Sequence, residues 1–164
     1  MRKIKALPIT SEAFAPYGCF ADALEPKGEA LCGPMHSFYR ENARFFSEST
    51  TLGFSPITVR KPDQMVITCA EYHNKTCEAI VALNDDFLLH VAPANGGTPE
   101  PEKTVVFRVP KGVVTVLYPG VWHLCPLPAS EPVLHALILL PDRTYVNDFY
   151  CKDFAPGEAF EIEP

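Results

Sequence analysis

The sequence predicts an all-β fold, an antiparallel sandwich or barrel built from many short strands. Apolar runs of strand length recur from residue 56 onwards, and turn-forming groups rich in Pro, Gly, Asn and Asp separate them. No gap between these runs holds a helix of about ten residues or more, which argues against parallel βαβ units. The chain also contains 17 prolines, which lie between the apolar runs rather than within them. The runs are 57–60, 65–70, 78–83, 87–92, 104–109, 113–118 and 133–140.

Length and composition restrict the class of protein further. With 164 residues the chain can form one domain with a real core, so we expect a single domain over residues 1–164. The net charge of -6 argues against a nucleic-acid partner, because neutralising phosphates needs clustered Lys and Arg. No apolar run approaches the roughly 20 residues of a membrane span, and no signal-peptide core follows Met1. We therefore expect a cytoplasmic protein whose partner is a small molecule, with neither nucleic acid nor membrane involved.

The segments outside the apolar runs are assigned from local signals. Residues 10–14 are predicted to form a short helical turn, because a hydroxyl side chain at its start can accept from free backbone N–H groups. Residues 26–37 are rich in Gly and Pro and are interpreted as a loop, and 37–46 as an extended segment at a sheet edge or over a cavity mouth. We assign no chemistry to the tail, 149–164, and expect it to pack as a strap.

The most informative stretch is 112–123, which is predicted to be a buried strand followed by a tight turn at 119–120. Its first half is β-branched, aliphatic or aromatic, as a largely buried strand requires. After the Pro-Gly turn the chain presents Trp122 and His123. His123 is then either a ligand aimed into a cavity or a histidine that ends the strand with a backbone hydrogen bond.

A second cluster of candidate ligands lies earlier in the chain. Glu71 and His73 are two positions apart at a strand end, so their side chains project to the same face of the sheet. A hairpin-like connection through 74–76 can then bring Glu78, at the start of the next run, back beside that pair. The alternative is a charged hairpin on the surface, and the presence of His123 favours the ligand cluster.

Other polar residues have a structural interpretation first. The six cysteines contain no CxxC pair, so we expect free thiols, and those near the candidate ligands are interpreted as small buried hydrophobes. His90 and His135 interrupt apolar strands. Each is either a core histidine with satisfied hydrogen bonds or a residue that points into the barrel, where it can act as a general base.

The two stretches resemble the paired motifs of the cupins. A first cupin motif of the form HxH followed by a glutamate is similar to the ExHxxxxE pattern at 71–78, with Glu in place of the leading His. The second motif, two glycines before a histidine, is matched by Gly112, Gly120 and His123, whereas the turn glycine expected after the first motif is Asp85 here. The resemblance implies a cupin-type jelly-roll (double-stranded β-helix) barrel with a short N-terminal helical turn, and a homodimer.

Within the cupins the chain resembles the ureidoglycolate lyase family. Residues 9–18 are similar to that family's N-terminal signature, 71–79 to its ERH and QAF segment, and 121–127 to its WHHPL segment. The chain departs from the family at Glu78, where the family has glutamine, and at His135, where it has an acidic residue. Tyr and Pro also precede the Trp region where the family tends to carry basic residues.

This resemblance implies a divalent transition metal as cofactor. Imidazole and carboxylate ligands without thiolates suit Zn, Mn, Ni, Fe or Co, and a Glu in place of the family's Gln adds a charge that favours a dication. The expected ligands are Glu71, His73, Glu78 and His123.

The resemblance also implies an elimination, in which a base removes a hydroxyl proton and an acid protonates the leaving nitrogen. The candidates for these acid–base roles are His135, Tyr118 and Lys75. The candidates for contacting the substrate are Arg60, Arg108, His90 and Trp122, and the two arginines are otherwise charges on the sheet surface.

The function implied is a metal-dependent lyase in purine or allantoin catabolism. It would act on ureidoglycolate or a related small ureido or 2-hydroxy acid, and would release urea and glyoxylate. Two alternatives remain open at this point. One is a cupin isomerase or epimerase acting on a sugar or keto acid, and the other is a non-catalytic cupin that binds a small molecule.

Overall fold

A computed structural model describes residues 1–164, and most of its regular structure is β-strand. The helices are α1 (Ser11–Phe14) and α2 (Thr144–Asn147), with a single 3-10 turn at Pro101–Lys103. The strands are β1 (Arg2–Lys5), β2 (Leu7–Pro8), β3 (Gly18–Asp22), β4 (Ala30–Gly33), β5 (His36–Tyr39), β6 (Leu52–Arg60), β7 (Val66–Ile67), β8 (Cys69–Tyr72), β9 (Glu78–Ala82), β10 (Phe87–Ala92), β11 (Val105–Val109), β12 (Val113–Leu117), β13 (Trp122–His123), β14 (Leu127–Pro128), β15 (Val133–Pro141), β16 (Tyr150–Asp153) and β17 (Phe160–Glu163). Neither α-helix has the length and apolar character that a membrane-spanning helix needs.

Two large sheets face each other. The first has seven strands in the order β16-β8-β13-β10-β11-β2, with β14 also paired to β10. The second has five strands in the order β3-β12-β9-β15-β6. Because the chain crosses between the sheets from β8 to β9, from β11 to β12 and from β12 to β13, the two sheets form the predicted jelly-roll barrel.

The main core fills the space between these two sheets. On β10, Phe87, Leu89 and Val91 point into this core, as do Leu134 and Ala136 on β15. The alternate residues of the same strands point outwards, as the period of a pleated strand requires. In each strand, therefore, every second side chain reaches the barrel interior, and its direct neighbours point outwards.

A second core covers the outer face of the first sheet. The strands β1, β17 and β7 form a three-stranded sheet that packs over β10 and β11. Phe160 of β17 and Leu88 of β10 are both fully buried there. The C-terminal tail is thus the strap expected from the sequence, and it makes β10 buried on both faces.

The N-terminal helical turn is confirmed. The hydroxyl of Thr10 accepts a hydrogen bond from the N–H of Ala13 at 3.2 Å, which caps α1. This turn places Phe14 in the main core, edge-on to Phe107 with ring centres 5.4 Å apart.

The interpretation of 26–37 as a loop is only partly right. The strand β4 lies inside this range and pairs antiparallel with β5, so the segment forms a two-stranded hairpin. Leu31, Met35 and Phe38 on this hairpin are exposed. The sequence did not predict β4, because its residues do not alternate between apolar and polar types over a strand's length.

Candidate metal centre

Three buried side chains meet inside the barrel, where β8 and β13 of the first sheet face the start of β9 in the second. One ligand atom from each of His73, Glu78 and His123 lies within 4.8 Å of the others. Each of the three residues is at most 5% exposed. His73 directly follows β8, Glu78 begins β9 and His123 ends β13, so residues from both sheets form the group.

Strand register explains why these side chains converge. His123 is paired with Glu71 on one side and with Val91 on the other, and directly paired residues project to the same face of a sheet. Val91 belongs to the main core, so His123 and Glu71 also face the barrel interior. On the opposite sheet, Glu78 is paired with Leu117, another residue of the main core.

The glycines of the second motif shape the backbone at both ends of the stretch 112–123. Gly112 and Gly120 have φ angles of +84° and +82°, in the left-handed region that favours glycine. The N–H of Gly120 donates to the carbonyl of His73 at 2.7 Å. The turn before His123 is therefore tied directly to the backbone of the other imidazole ligand candidate.

Both imidazoles are held by backbone carbonyl groups behind them. Nδ1 of His73 lies 2.7 Å from the carbonyl of Asp148, and Nδ1 of His123 lies 2.9 Å from the carbonyl of Val121. Because a carbonyl oxygen only accepts, each Nδ1 carries the hydrogen. This leaves both Nε2 atoms facing Glu78 Oε2, at 3.0 Å for His73 and 3.2 Å for His123.

The charge state of the group follows from burial and from these contacts. Burial by itself raises the pKa of Glu78, but the charge of His123 and the hydrogen bonds from His123 and His73 outweigh it and lower the pKa to about 2. Burial lowers the pKa of His123, but the Glu78 carboxylate outweighs it, so that this pKa is raised. Glu78 is therefore ionised at neutral pH.

This arrangement fits a divalent transition metal. When both imidazoles are neutral, two nitrogen lone pairs and a carboxylate oxygen point at one another, and a metal cation between them would relieve the repulsion, as protonation of an imidazole also does. Metal-bound histidines usually donate their second N–H to a carbonyl or carboxylate, as both histidines do here. A nitrogen and oxygen donor set suits Zn, Mn, Fe, Co or Ni.

Glu71, the fourth predicted ligand, lies beside this group but outside the set whose ligand atoms meet. Its side chain is buried, and burial raises the pKa of its carboxyl group despite the nearby charge of His123. The structure thus brings three of the four predicted ligands together, and Glu71 as a ligand stays a prediction.

Sequence reasoning missed the aromatic residues that flank the group. Tyr145 of α2 stands edge-on to His73 with ring centres 5.9 Å apart. The ring centre of Phe149 lies 6.4 Å from that of His73. Burial and the charges of Glu78 and Glu71 raise the pKa of the Tyr145 phenol. The only signal in the sequence was an aromatic pair four residues apart after the last long strand, which has no connection to the two motifs.

The residues predicted for acid–base roles lie elsewhere. His135 is exposed on the outer face of β15, where its Nδ1 lies 3.3 Å from the hydroxyl of Thr58. Tyr118 is 42% exposed, and Lys75 is exposed in the turn after β8. The inward neighbours of His135 are Leu134 and Ala136, so strand alternation turns the imidazole away from the barrel interior.

The residues predicted to contact the substrate also lie away from the group. Arg60 is exposed on β6. The guanidinium of Arg108 donates to Asp86 at 2.9 Å and to Ser130 at 3.2 Å. Both arginines therefore match the alternative interpretation, in which they are charges on the sheet surface.

Trp122 and His90 occupy the outer face of the first sheet. Trp122 immediately precedes the inward-facing His123, so it points outwards, and its indole N–H donates to Asn95 at 2.9 Å. His90 packs edge-on against Phe160 of the strap with ring centres 5.7 Å apart. Neither residue reaches the barrel interior, so neither is placed to contact a molecule bound there.

The fold and the site together define a cupin, a jelly-roll barrel whose interior carries a cluster of histidine and carboxylate side chains. The family described as ureidoglycolate lyase matches residues 1–163. The chain therefore belongs to the ureidoglycolate lyase family, as the sequence motifs indicated. The description of this family is that of a lyase.

Comparisons with individual proteins give only distant likenesses. RmlC from Streptococcus suis, solved in complex with dTDP-D-xylose, is 12% identical with a TM-score of 0.41, over 56% of this chain and 44% of that chain. A vicilin from Solanum melongena is 9% identical with a TM-score of 0.41, over 79% of this chain and 38% of that one. A vicilin from Corylus avellana is 10% identical with a TM-score of 0.40, over 82% and 41%. The chain thus spans less than half the length of each, no functional conclusion follows from them, and a comparison with curated proteins finds no match.

Proposed function

We propose that the protein is a metal-dependent lyase that cleaves ureidoglycolate, or a closely related ureido acid, into urea and glyoxylate. Family membership supports the reaction and the substrate. The observation that supports the metal is the convergence of two Nε2 atoms on Oε2 of Glu78 inside the barrel.

His73, Glu78 and His123 would hold the metal, with Glu71 adjacent to them. The metal, when bound, supplies Lewis acidity that lowers the pKa of a substrate hydroxyl group. The backbone carbonyls behind the two imidazoles keep both Nε2 atoms directed at the ion. The three side chains are buried, and electrostatic interactions between buried groups are stronger than in water.

The proton transfers are assigned to residues that flank the group. Glu71 is the buried carboxylate nearest to the ligands in register, and it is placed to accept the proton of the substrate hydroxyl. As that O–H bond breaks, the oxygen forms the carbonyl of glyoxylate, and the C–N bonding electrons leave with the nitrogen. Tyr145 keeps its proton at neutral pH and flanks His73, so it is the donor that converts the leaving nitrogen into urea.

The positions of the two arginines indicate that they do not bind the substrate carboxylate. Arg60 and Arg108 are both on outer surfaces of the sheets, so neither clamps a molecule in the barrel interior. The substrate carboxylate would then be bound by the metal together with the hydroxyl oxygen. We therefore expect the substrate to be a small acid that can bind through two adjacent oxygen atoms.

The test is to incubate the metal-loaded protein with ureidoglycolate and to measure urea and glyoxylate together. We expect equal amounts of both products, and a loss of about 100-fold or more in His123→Ala, which removes one candidate ligand. His135→Gln changes an exposed residue outside the site and serves as the control with unchanged activity. Absence of both products from the metal-loaded protein, or full activity in His123→Ala, would contradict the proposal.

A cytoplasmic homodimer remains part of the proposal. The exposed hairpin residues Leu31, Met35 and Phe38 support the dimer, because an isolated two-stranded hairpin is marginally stable in water and gains from burying its apolar side chains. Light scattering of the purified protein measures the mass, and a monomer at micromolar concentration would contradict the dimer.

A further inference from the structure

The segment between β15 and β16 is tied to the candidate metal centre through one residue, Asp148. This aspartate is only 5% exposed, although it lies in a short connection. Its carboxylate accepts hydrogen bonds from the backbone N–H groups of Asn74, at 2.9 Å, and Lys75, at 2.7 Å. These two N–H groups belong to the turn that leads from His73 towards Glu78.

The backbone of Asp148 makes a third contact, this time with the ligand candidate itself. Its carbonyl oxygen accepts the Nδ1 hydrogen of His73 at 2.7 Å. One residue therefore fixes both the ring orientation of His73 and the turn that immediately follows it. The side-chain contacts hold the turn against Asp148, and this keeps the carbonyl of Asp148 within reach of the imidazole.

Asp148 is itself held in place by α2. Its N–H donates to the carbonyl of Thr144 at 2.8 Å, and the hydroxyl of Thr144 donates to the carbonyl of Pro141 at 2.8 Å. Thr144 is buried, so the short helix is anchored to the end of β15. The helix also carries Tyr145, whose ring flanks His73.

We propose that Asp148 is the positioning residue of the centre, which holds His73 at the spacing from Glu78 that a metal ion requires. This inference rests on the proposed metal site and deepens it. Hydrogen bonds from N–H groups to a carboxylate are among the stronger ones in proteins. The two bonds to the Asp148 carboxylate therefore hold the turn after His73 firmly in place. Loss of such outer contacts typically reduces metal affinity by about 10 to 100-fold.

The test uses Co²⁺ as the probe, titrated into metal-free protein in competition with a chelator. We expect about tenfold weaker binding in Asp148→Asn, which keeps one acceptor oxygen and loses the charge, and a loss nearer 100-fold in Asp148→Ala. The visible absorption of bound Co²⁺ should change as well, because the ligand geometry changes. Asp142→Asn is the matched control, since Asp142 is exposed in the same segment and bonds through its backbone N–H to Thr51.

A second measurement separates this proposal from that of the function. In the metal-free protein, nitrogen NMR reports whether the hydrogen of His73 is on Nδ1, and we expect Asp148→Asn to weaken that preference while circular dichroism shows a folded chain. If the wild type binds no Co²⁺, the metal-dependent function fails, and the NMR result still decides the role of Asp148. Unchanged Co²⁺ affinity and an unchanged His73 signal in folded Asp148→Asn would overturn the positioning role.

Discussion

Two buried histidines of this protein, His123 and His90, are stabilised very differently. His123 lies in the candidate metal centre, where Glu78 compensates for its burial. His90 lies between β10 and the strap, and its Nε2 is buried without any hydrogen-bond partner. Burial, with a smaller contribution from the charge of His123, lowers the pKa of His90 from 6.5 to about 3. His90 is therefore neutral in the folded protein across the physiological range.

His90 should make stability depend on pH in the acid range. Between the unfolded pKa of 6.5 and the folded pKa of about 3, the unfolded chain binds a proton that the folded chain does not. Stability from this residue is therefore complete above pH 6.5 and falls as the pH decreases, by about 3 kcal/mol at pH 4. We expect His90→Phe to remove this part of the pH dependence, as measured by urea unfolding at pH 8 and pH 4. His135→Gln is the exposed control, and equal losses in His90→Phe and the wild type would show that His90 does not titrate in this way.

At the level of single elements, the turn before β13 joins the two halves of the centre. The N–H of Gly120 donates a hydrogen bond to the carbonyl of His73. The same turn leads directly into β13, which ends at His123. A Cβ on Gly120 would lie 3.1 Å from the Cβ of Ala94, and the φ angle of +82° is itself unfavourable for other residues. The glycine is therefore required both by conformation and by space.

Gly120→Ala should destabilise the protein by about 1–2 kcal/mol and weaken metal binding at the same time, because the strain falls on the bond to His73. Gly97→Ala is the matched control, since its φ is not in the left-handed region and its new Cβ would make only an ordinary contact at 3.7 Å. Urea unfolding with and without Co²⁺ measures both effects. Equal stability of the two variants would show that the turn tolerates a side chain.

The strands and the two motifs were predictable from the sequence. Which residues of each strand point into the barrel was not. The spacing of Gly112, Gly120 and His123 indicated the second motif, and the apolar runs correspond to strands such as β10. However, β10 is buried on both faces and β15 is also a nearly continuous apolar run, and such a run does not show which residues point inwards. For this reason the sequence did not decide whether His90 and His135 are core residues or face the cavity of the barrel.

Local sequence patterns could not predict the site residues that come from a distant part of the chain. Asp148 meets His73 only after the chain has completed the barrel, so no spacing in the sequence connects them. The same holds for Tyr145, which reaches the centre from α2. The sequence therefore predicted the ligand candidates, which lie within motifs, and missed the residues that position and flank them.

For the molecule as a whole, the candidate centre links metal binding to stability. The barrel positions His73, Glu78 and His123 from both sheets, so a metal bound there connects the two layers. A ligand that binds only the folded state stabilises it, by about 2.7 kcal/mol when its concentration is 100 times the dissociation constant. Metal should thus raise the melting temperature, and a chelator should lower it.

The measurement that tests the account most directly is elemental analysis of the purified protein beside Glu78→Gln. Glutamine has the same shape as glutamate but no charge, and it also occurs at this position in the family that the sequence resembles, so folding should be preserved. We expect one transition-metal ion per chain in the wild type, and clearly less in the variant after dialysis against a weak chelator. His135→Gln should match the wild type. No metal in any of the three, even after reconstitution with Zn²⁺, Mn²⁺, Fe²⁺, Co²⁺ or Ni²⁺, would contradict a metal centre at His73, Glu78 and His123.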